Sequence, residues 1–140
     1  HAARAGRVAC TLVGLADEQE LTAALRAALP PAVTVEDLTG RTTLPQLAEL
    51  LAGQDLLLAN DSGVMHLAAA VGTPVVAVFG QSDPDKWLPR GDGPPVVAVS
   101  APPDCAPCLP PGCGEPRCLT AVTVEMVADA VLRALRERPQ

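Results

Sequence analysis

The chain has 140 residues, of which 49% are hydrophobic and 1% aromatic, and a formal net charge of −6. A single domain-sized unit with an aliphatic core is expected, spanning residues 1–140. The near absence of aromatic rings and the scatter of the ten Lys and Arg argue against base stacking and against a basic track, so no nucleic-acid partner is expected. The most apolar window, residues 64–79, is broken by His66, Gly72 and Pro74 and is too short to cross a bilayer. No secretory signal is visible, which makes the cytoplasm the expected location. A start at His1 rather than Met leads to the expectation of a piece of a longer chain.

Residues 7–13 are rich in Val, Leu and Thr and end at Gly14, the pattern of a buried strand with Cys10 as a small core residue. Asp17 followed by Glu20 reads as a capping box, and Leu21, Ala24, Leu25 and Ala28 follow at helical spacing until Pro30 and Pro31 stop the helix. Residues 33–37 read as a second strand and residues 38–42 as a turn. Thr43 with Gln46 makes another capping box, with Leu44, Leu47, Ala48 and Leu51 on one face and Gly53 at the end. A strand at residues 55–59 leads into Asn60-Asp61-Ser62-Gly63-Val64-Met65-His66 and a helix that stops at Gly72. Residues 74–80 form a near-continuous apolar run, as expected of a strand buried on both faces.

A polar loop occupies residues 81–89, and residues 96–99 make a last short strand. The Pro, Gly and Cys-rich stretch of residues 100–119 reads as a loop before the final helix. Thr123 caps that helix, whose stripe is Val124, Val127, Ala128, Val131, Leu132 and Leu135. Alternation of strand and helix throughout predicts an α/β fold, Rossmann-like, with a parallel sheet and right-handed crossovers. Ligands of such sheets bind beyond the carboxyl ends of the strands.

The turn at residues 60–66 passes sharply from strand to helix. Such a turn leaves the first helical N–H groups without backbone partners and aims the positive end of the helix dipole outward, which suits a phosphate. Ser62 as N-cap would place His66 one turn inside the helix, facing the same anion. Two plainer readings stand beside this one: ordinary capping by Asp61 and Ser62, and a structural histidine at His66. A Ser-His-Asp triad is not expected from three residues within one turn and without a G-x-S-x-G elbow.

The wider pattern is more specific. Asp37-Leu38-x-Gly40-x-Thr42-x-Leu44, then Asn60-Asp61-Ser62-Gly63-x-Met65-His66-Leu67-Ala68-Ala69-Ala70-x-Gly72-x-Pro74, then Phe79-Gly80-x-Ser82-Asp83-Pro84, resembles the family 9 glycosyltransferases, the bacterial heptosyltransferases. The resemblance implies a GT-B enzyme of two Rossmann-like domains, of which this chain would be the C-terminal, donor-binding one. It implies transfer of heptose or a related sugar from an ADP-heptose-like donor to a cell-envelope glycolipid or protein, with no cofactor in the chemistry. By the same resemblance Ser62, Gly63 and His66 hold the donor diphosphate, His66 stabilising the leaving group. Asp61, a carboxylate that a diphosphate would repel unless it is turned away, is expected to cap and position the loop and to touch a sugar hydroxyl. Glu18 corresponds to the acid facing the ribose, although Gly14-Leu15-Ala16-Asp17-Glu18 departs from the more usual Gly-Gly-Pro-x-Glu. Residues 38–43, Thr39 and Gly40 among them, flank the base. Ser82, Asp83 and Lys86 lie where the sugar would be, Lys86 reading equally well as a solvated charge.

The resemblance also implies what is not here. The acceptor domain with its catalytic base, and a further strand with a basic diphosphate clamp, would precede residue 7. The strands at residues 7–13 and 55–59 would then lack their shared neighbour, and the 140 residues alone are expected to be inactive. Peripheral association with the inner face of the inner membrane is a further expectation of this kind. The alternative from another class is a noncatalytic nucleotide-binding or metal-stabilised interaction module.

Cys105, Cys108, Cys113 and Cys118 supply four thiols within fourteen residues, among Pro and Gly that permit tight wrapping. A structural zinc or iron is expected, with two disulfides or free thiols as alternatives; a reducing cytoplasm favours the metal.

Overall fold

The computed structural model describes residues 8–101 and 116–137. These divide into two compact units, one within residues 1–47 and one within residues 48–140.

The first unit is a two-stranded parallel sheet of β1 (Ala9–Leu12) and β2 (Thr34–Asp37), with Ala9 opposite Thr34 and Leu12 opposite Asp37. A 3₁₀ turn at Ala16–Glu18 leads into α1 (Gln19–Ala28), which joins the strands. The start of this helix corrects the sequence reading. Asp17 is not its cap; instead Glu18 folds back so that its Oε2 accepts from the Leu15 N–H at 2.6 Å, while the Glu18 N–H donates to the Leu15 carbonyl. The helix ends where expected, at Leu29 before the two prolines. Its predicted apolar face is not buried: Leu21 is 69% exposed and Leu25 49%, whereas Thr22 is 7% exposed.

The helix α2 (Leu44–Ala52) contains the division between the units. At its start the Gln46 side chain accepts from both the N–H and the hydroxyl of Thr43 at 2.9 Å, so half of the predicted capping box forms, the Thr43 hydroxyl donating to Gln46 instead of accepting from its N–H.

The second unit is a three-stranded parallel sheet in the order β3 (Leu57–Asn60), β4 (Val75–Phe79), β5 (Val96–Ser100). Leu57 pairs with Val75 and Val75 with Val96. Thus β1 and β3, expected to be separated by a strand before residue 7, belong to different sheets. The central strand β4 is buried on both faces, as its unbroken apolar run requires. Val75, Ala77 and Phe79 are each 0% exposed and share one face by the period of two. Val76, on the other face, joins Val99 and the last helix α6 (Val124–Arg136) through Ala130 and Ala134.

That helix begins at the expected cap, the Met126 N–H donating to Thr123 Oγ1 at 3.3 Å. Its buried stripe is Val127, Ala130, Val131 and Ala134. Val124 and Leu132, assigned to the core by periodicity, are instead 79% and 50% exposed. Small alanines let the helix lie close to the sheet, and the larger residues fall at the margin.

The helix α3 (Gly63–Ala70) packs on β3 and β4 with Met65 and Ala68 buried completely. It ends in a Schellman motif: Gly72 takes φ +86°, its N–H bonds the Ala69 carbonyl, and the Thr73 N–H bonds that of Ala68. Buried Thr73 also donates its hydroxyl to the Leu51 carbonyl at 2.6 Å, tying the end of α2 to the start of β4.

Two short helices lie within stretches read as loop. The helix α4 (Pro84–Trp87) starts with Asp83 as cap and Pro84 in the first turn. The helix α5 (Arg117–Thr120) takes the end of the Cys-rich stretch, and Ser100 belongs to β5, so residues 100–119 are not all loop.

Candidate functional site

Each unit gathers some of the expected residues at the carboxyl edge of its own sheet. In the first, Leu12 opposite Asp37 brings Gly14 and residues 38–40 to one edge, where the Gly40 N–H donates to the Gly14 carbonyl at 2.9 Å. Glu18 lies over Gly14, since a Cβ on that glycine would stand 2.8 Å from Glu18 Oε2. Gly40 has φ +70° and lies so close to Ala16 that a Cβ would meet the Ala16 Cα at 2.8 Å. Only glycine satisfies both conditions. Glu18 and Gly40 are exposed at this edge, whereas Thr39 is 2% exposed and its hydroxyl makes no well-formed hydrogen bond. The Thr39 side chain thus belongs to the interior of the unit.

Asp37 anchors the turn by accepting from the Thr39 N–H at 3.0 Å. Its carboxyl is held below the ordinary carboxylate range, first by the adjacent Thr39 side chain, then by that N–H, with Arg41 and Arg26 assisting and burial opposing.

In the second unit the Asp61 N–H donates to the Val78 carbonyl at 3.0 Å, so the turn after β3 is pinned beside β4. Ser62 is the N-cap residue of α3 by backbone, with φ −158° and ψ 168°, but its side chain does not cap. Its hydroxyl donates backward to the Asn60 carbonyl at 3.2 Å. Gly63 faces open space, for a Cβ there would meet nothing within 4 Å. The amino end of α3 is therefore exposed and unclaimed by its cap side chain, the arrangement that suits an anion. The Ser62 part of the plainer capping reading does not hold, since its side chain bonds no N–H of the helix. His66 is also exposed, which removes the reading of it as a core histidine.

Ser82, Asp83 and Lys86 follow β4 at the same edge. Asp83 Oδ1 accepts from the Asp85 N–H at 2.9 Å, and Lys86 Nζ stands 4.0 Å from Asp83 Oδ2, a loose and exposed pair. Such a pair contributes little to stability. Gly80, where the chain leaves β4, lies under Leu119 of α5, whose side chain would stand 3.0 Å from a Cβ at Gly80.

His66 lines an open concavity of about 640 Å³ together with Ala69, Ala70 and residues 89–91 and 93–96. One of those residues, Arg90, was not singled out from the sequence. The signal was available: a lone cation in a Pro and Gly-rich loop of an acidic chain. Its Nη2 donates to the Asp85 carbonyl at 2.6 Å.

Among the four cysteines, Cys105, Cys108 and Cys113 lie outside the described residues. Cys118 is 7% exposed at the start of α5. Cys10 in β1 is half-buried, and burial raises its thiol above the usual value.

The sequence profile of glycosyltransferase family 9 (heptosyltransferase) matches residues 2–118. Lipooligosaccharide heptosyltransferase 2 of Haemophilus influenzae is 35% identical over 86 residues, which are 60% of this chain and 25% of that protein. Lipopolysaccharide heptosyltransferase 2 of Escherichia coli K12 is 47% identical over 49 residues, 35% of this chain and 14% of its own length. The fold is that of a family 9 glycosyl transferase from Veillonella parvula, with a TM-score of 0.74 at 24% identity over 91% of this chain and 36% of that one. The ADP-heptose lps heptosyltransferase II of E. coli superposes with a TM-score of 0.67 at 29% identity, over 90% of this chain and 36% of its own. The chain thus spans about a third of the length of these solved relatives. With the profile covering most of its residues and the α/β parallel architecture shared, the chain belongs to glycosyltransferase family 9, the heptosyltransferases.

Proposed function

We propose that this chain is the donor-binding part of a heptosyltransferase, both units belonging to one C-terminal domain of a GT-B enzyme. The carrying observation is the amino end of α3, where Ser62 turns its hydroxyl away and Gly63 opens to solvent. Similarity to lipopolysaccharide and lipooligosaccharide heptosyltransferases, one of them an ADP-heptose enzyme, supports ADP-heptose as the donor and a lipopolysaccharide or lipooligosaccharide as the product. No nucleic acid takes part.

In this reading the donor diphosphate lies at the start of α3. As the acceptor hydroxyl attacks the anomeric carbon, the bond from that carbon to the β-phosphate oxygen breaks and its electron pair remains on the diphosphate. The N–H groups of α3, its dipole and an imidazole N–H of His66 stabilise that growing charge without a metal ion. Glu18 accepts from a ribose hydroxyl through Oε1, its Oε2 being held by Leu15. The backbone at Thr39 and Gly40 borders the base, and Asp61, Ser82, Asp83 and Lys86 border the sugar. The base that activates the acceptor, and the acceptor site, belong to the other domain, so these 140 residues alone have no turnover. Four thiols, Cys105, Cys108, Cys113 and Cys118, hold a structural zinc or iron. The enzyme works in the cytoplasm at the inner face of the inner membrane; among the described residues no helix is long and apolar enough to cross it.

Replacing His66 by Ala in the complete enzyme tests the reading. Loss of one charge-assisted hydrogen bond predicts about 10- to 100-fold weaker donor use with the fold intact. Normal turnover by that variant would overturn the assignment.

A further inference from the structure

We infer that Gly14 is a positioning residue for the nucleotide ribose, acting through Glu18; this rests on the assignment of Glu18 to the ribose above. The backbone does not ask for glycine at residue 14. Its φ lies outside the left-handed region, where among the described glycines only Gly40 and Gly72 fall. In an allowed conformation an alanine restricts the unfolded chain and does not by itself destabilise. Packing within the fold does not ask for glycine either. Of the three atoms nearest to an added Cβ, the Thr39 methyl carbon at 3.5 Å makes an ordinary contact, and the other two belong to Glu18, its Oε2 at 2.8 Å and its Cβ at 3.6 Å. What the absent methyl group leaves room for is the Glu18 carboxylate.

That carboxylate is anchored over the strand end. Its Oε2 accepts from the Leu15 N–H at 2.6 Å, the short distance of a charge-assisted bond, and the Glu18 N–H donates to the Leu15 carbonyl at 3.0 Å. The loop beneath is fixed as well, because the Leu38 and Gly40 N–H groups donate to the Leu12 and Gly14 carbonyls at 2.9 Å each. The N–H groups of Leu15, Thr39 and Gly40 are thus all engaged within the unit. Glu18 Oε1, which takes no bond from the described residues, meets a ligand here as an acceptor, and that suits a ribose hydroxyl. With one oxygen held, the side chain is ordered before the ligand arrives, so binding loses less entropy. A methyl group at residue 14 ends this arrangement. Ordinary contact begins near 3.4 Å, so the carboxylate must retreat by roughly half an ångström or swing out to solvent, the displacement at which a preorganised group loses its geometry. The far end of a flexible side chain moves readily, which makes the change cheap for the fold and costly for the ribose.

The experiment is calorimetric titration of ADP, 2′-deoxy-ADP and 3′-deoxy-ADP into the 140-residue chain as wild type, Gly14→Ala, Glu18→Ala and the double variant, with exchange of the Leu38 N–H followed in each. Wild type should prefer ADP over at least one deoxy form by roughly tenfold or more, the worth of a hydroxyl bonded to a carboxylate. Gly14→Ala should cut that preference to within about threefold, keep Leu38 exchange within about twofold of wild type, and add nothing to Glu18→Ala. Loss of the preference in Glu18→Ala but not in Gly14→Ala overturns this inference alone. So does a loss in Gly14→Ala that comes with faster Leu38 exchange, or a further weakening of ADP when Gly14→Ala is added to Glu18→Ala. If Glu18→Ala keeps the wild-type preference, or wild type shows none, the ribose assignment falls and this inference with it.

Discussion

Replacing Gly40 by Ala separates two costs that glycine avoids at this position. The first is conformational: φ is +70°, and an L-residue with a Cβ there costs roughly 1–2 kcal/mol. The second is steric. The new Cβ would stand 2.8 Å from the Ala16 Cα, 3.0 Å from its Cβ and 3.3 Å from its N. Two of these are backbone atoms, so the 3₁₀ turn itself must shift, at an overpacking cost of about 1–3 kcal/mol. Together the substitution should cost about 2–5 kcal/mol.

Gly72→Ala is the control. There φ is +86° and nothing lies within 4 Å of the added Cβ, which leaves the conformational cost of about 1–2 kcal/mol alone. Native-state amide hydrogen exchange reads each unit by itself. The Leu38 N–H, bonded to the Leu12 carbonyl, reports on β1 and β2; the Leu57 N–H, bonded to the Pro74 carbonyl, reports on β3 and β4. With about 1.4 kcal/mol per tenfold, Gly72→Ala should speed exchange of Leu57 roughly 5- to 30-fold. Gly40→Ala should speed exchange of Leu38 by roughly a further 5- to 140-fold, the steric cost of about 1–3 kcal/mol added to the same conformational cost. Adding Ala16→Gly should recover a part and not the whole, since the backbone of residue 16 would still crowd the new methyl group. Equal acceleration by the two single substitutions would refute the packing of Gly40 on Ala16.

Thr123→Ala removes the acceptor for the Met126 N–H and should lower stability by about 1 kcal/mol, read as a lower urea midpoint at unchanged slope, with Thr123→Ser near wild type. Stability should fall with acid below about pH 4. The folded-state carboxyls of Asp37 and Glu125 lie below their ordinary values, the latter through its own backbone N–H and then the Thr123 side chain. Such groups contribute stability that is present above the unfolded value and lost as the pH drops through the folded one. Asp37→Asn should flatten that part of the profile in urea titrations at pH 3 to 6, and an unchanged acid slope would count against the assignment. Elemental analysis of protein purified under reducing conditions should find stoichiometric zinc or iron; its absence would remove the four-cysteine metal site.

Order and type of the long elements were legible because the apolar periods change cleanly, from the unbroken run of β4 to the capped start of α6. Helix starts were legible where a side chain bonds the backbone as the pattern suggests, as at Thr43 and Thr123. At α1 the same logic pointed to Asp17, because two acids three residues apart fit the pattern equally well. The Leu15 N–H chose Glu18, which the closeness of Gly14 accommodates. Periodicity names a stripe without saying what covers it. Hence Leu21 and Leu25 are exposed on α1, and on α6 the alanines take the deep positions in place of Val124 and Leu132. The short helices were missed although Asp83 before Pro84 is a recognisable start. The turn at residues 60–66 was read correctly as a strand-to-helix corner. That the Ser62 hydroxyl turns backward depends on a local choice of partner that sequence does not encode legibly.

The order of strand pairing carries a consequence for how the chain acquires its structure. Among the described residues every strand pairs with one adjacent in sequence, Ala9 with Thr34, Leu57 with Val75 and Val75 with Val96. Each parallel pair can therefore close a loop of only about twenty residues, without waiting for a distant segment. The exception is α6, the last element, whose Ala130 and Ala134 cover Val76 and Val99. During synthesis that apolar face of β4 and β5 stays uncovered until the final helix emerges, so this is the interval in which the nascent chain is most open to chaperones and to mispairing.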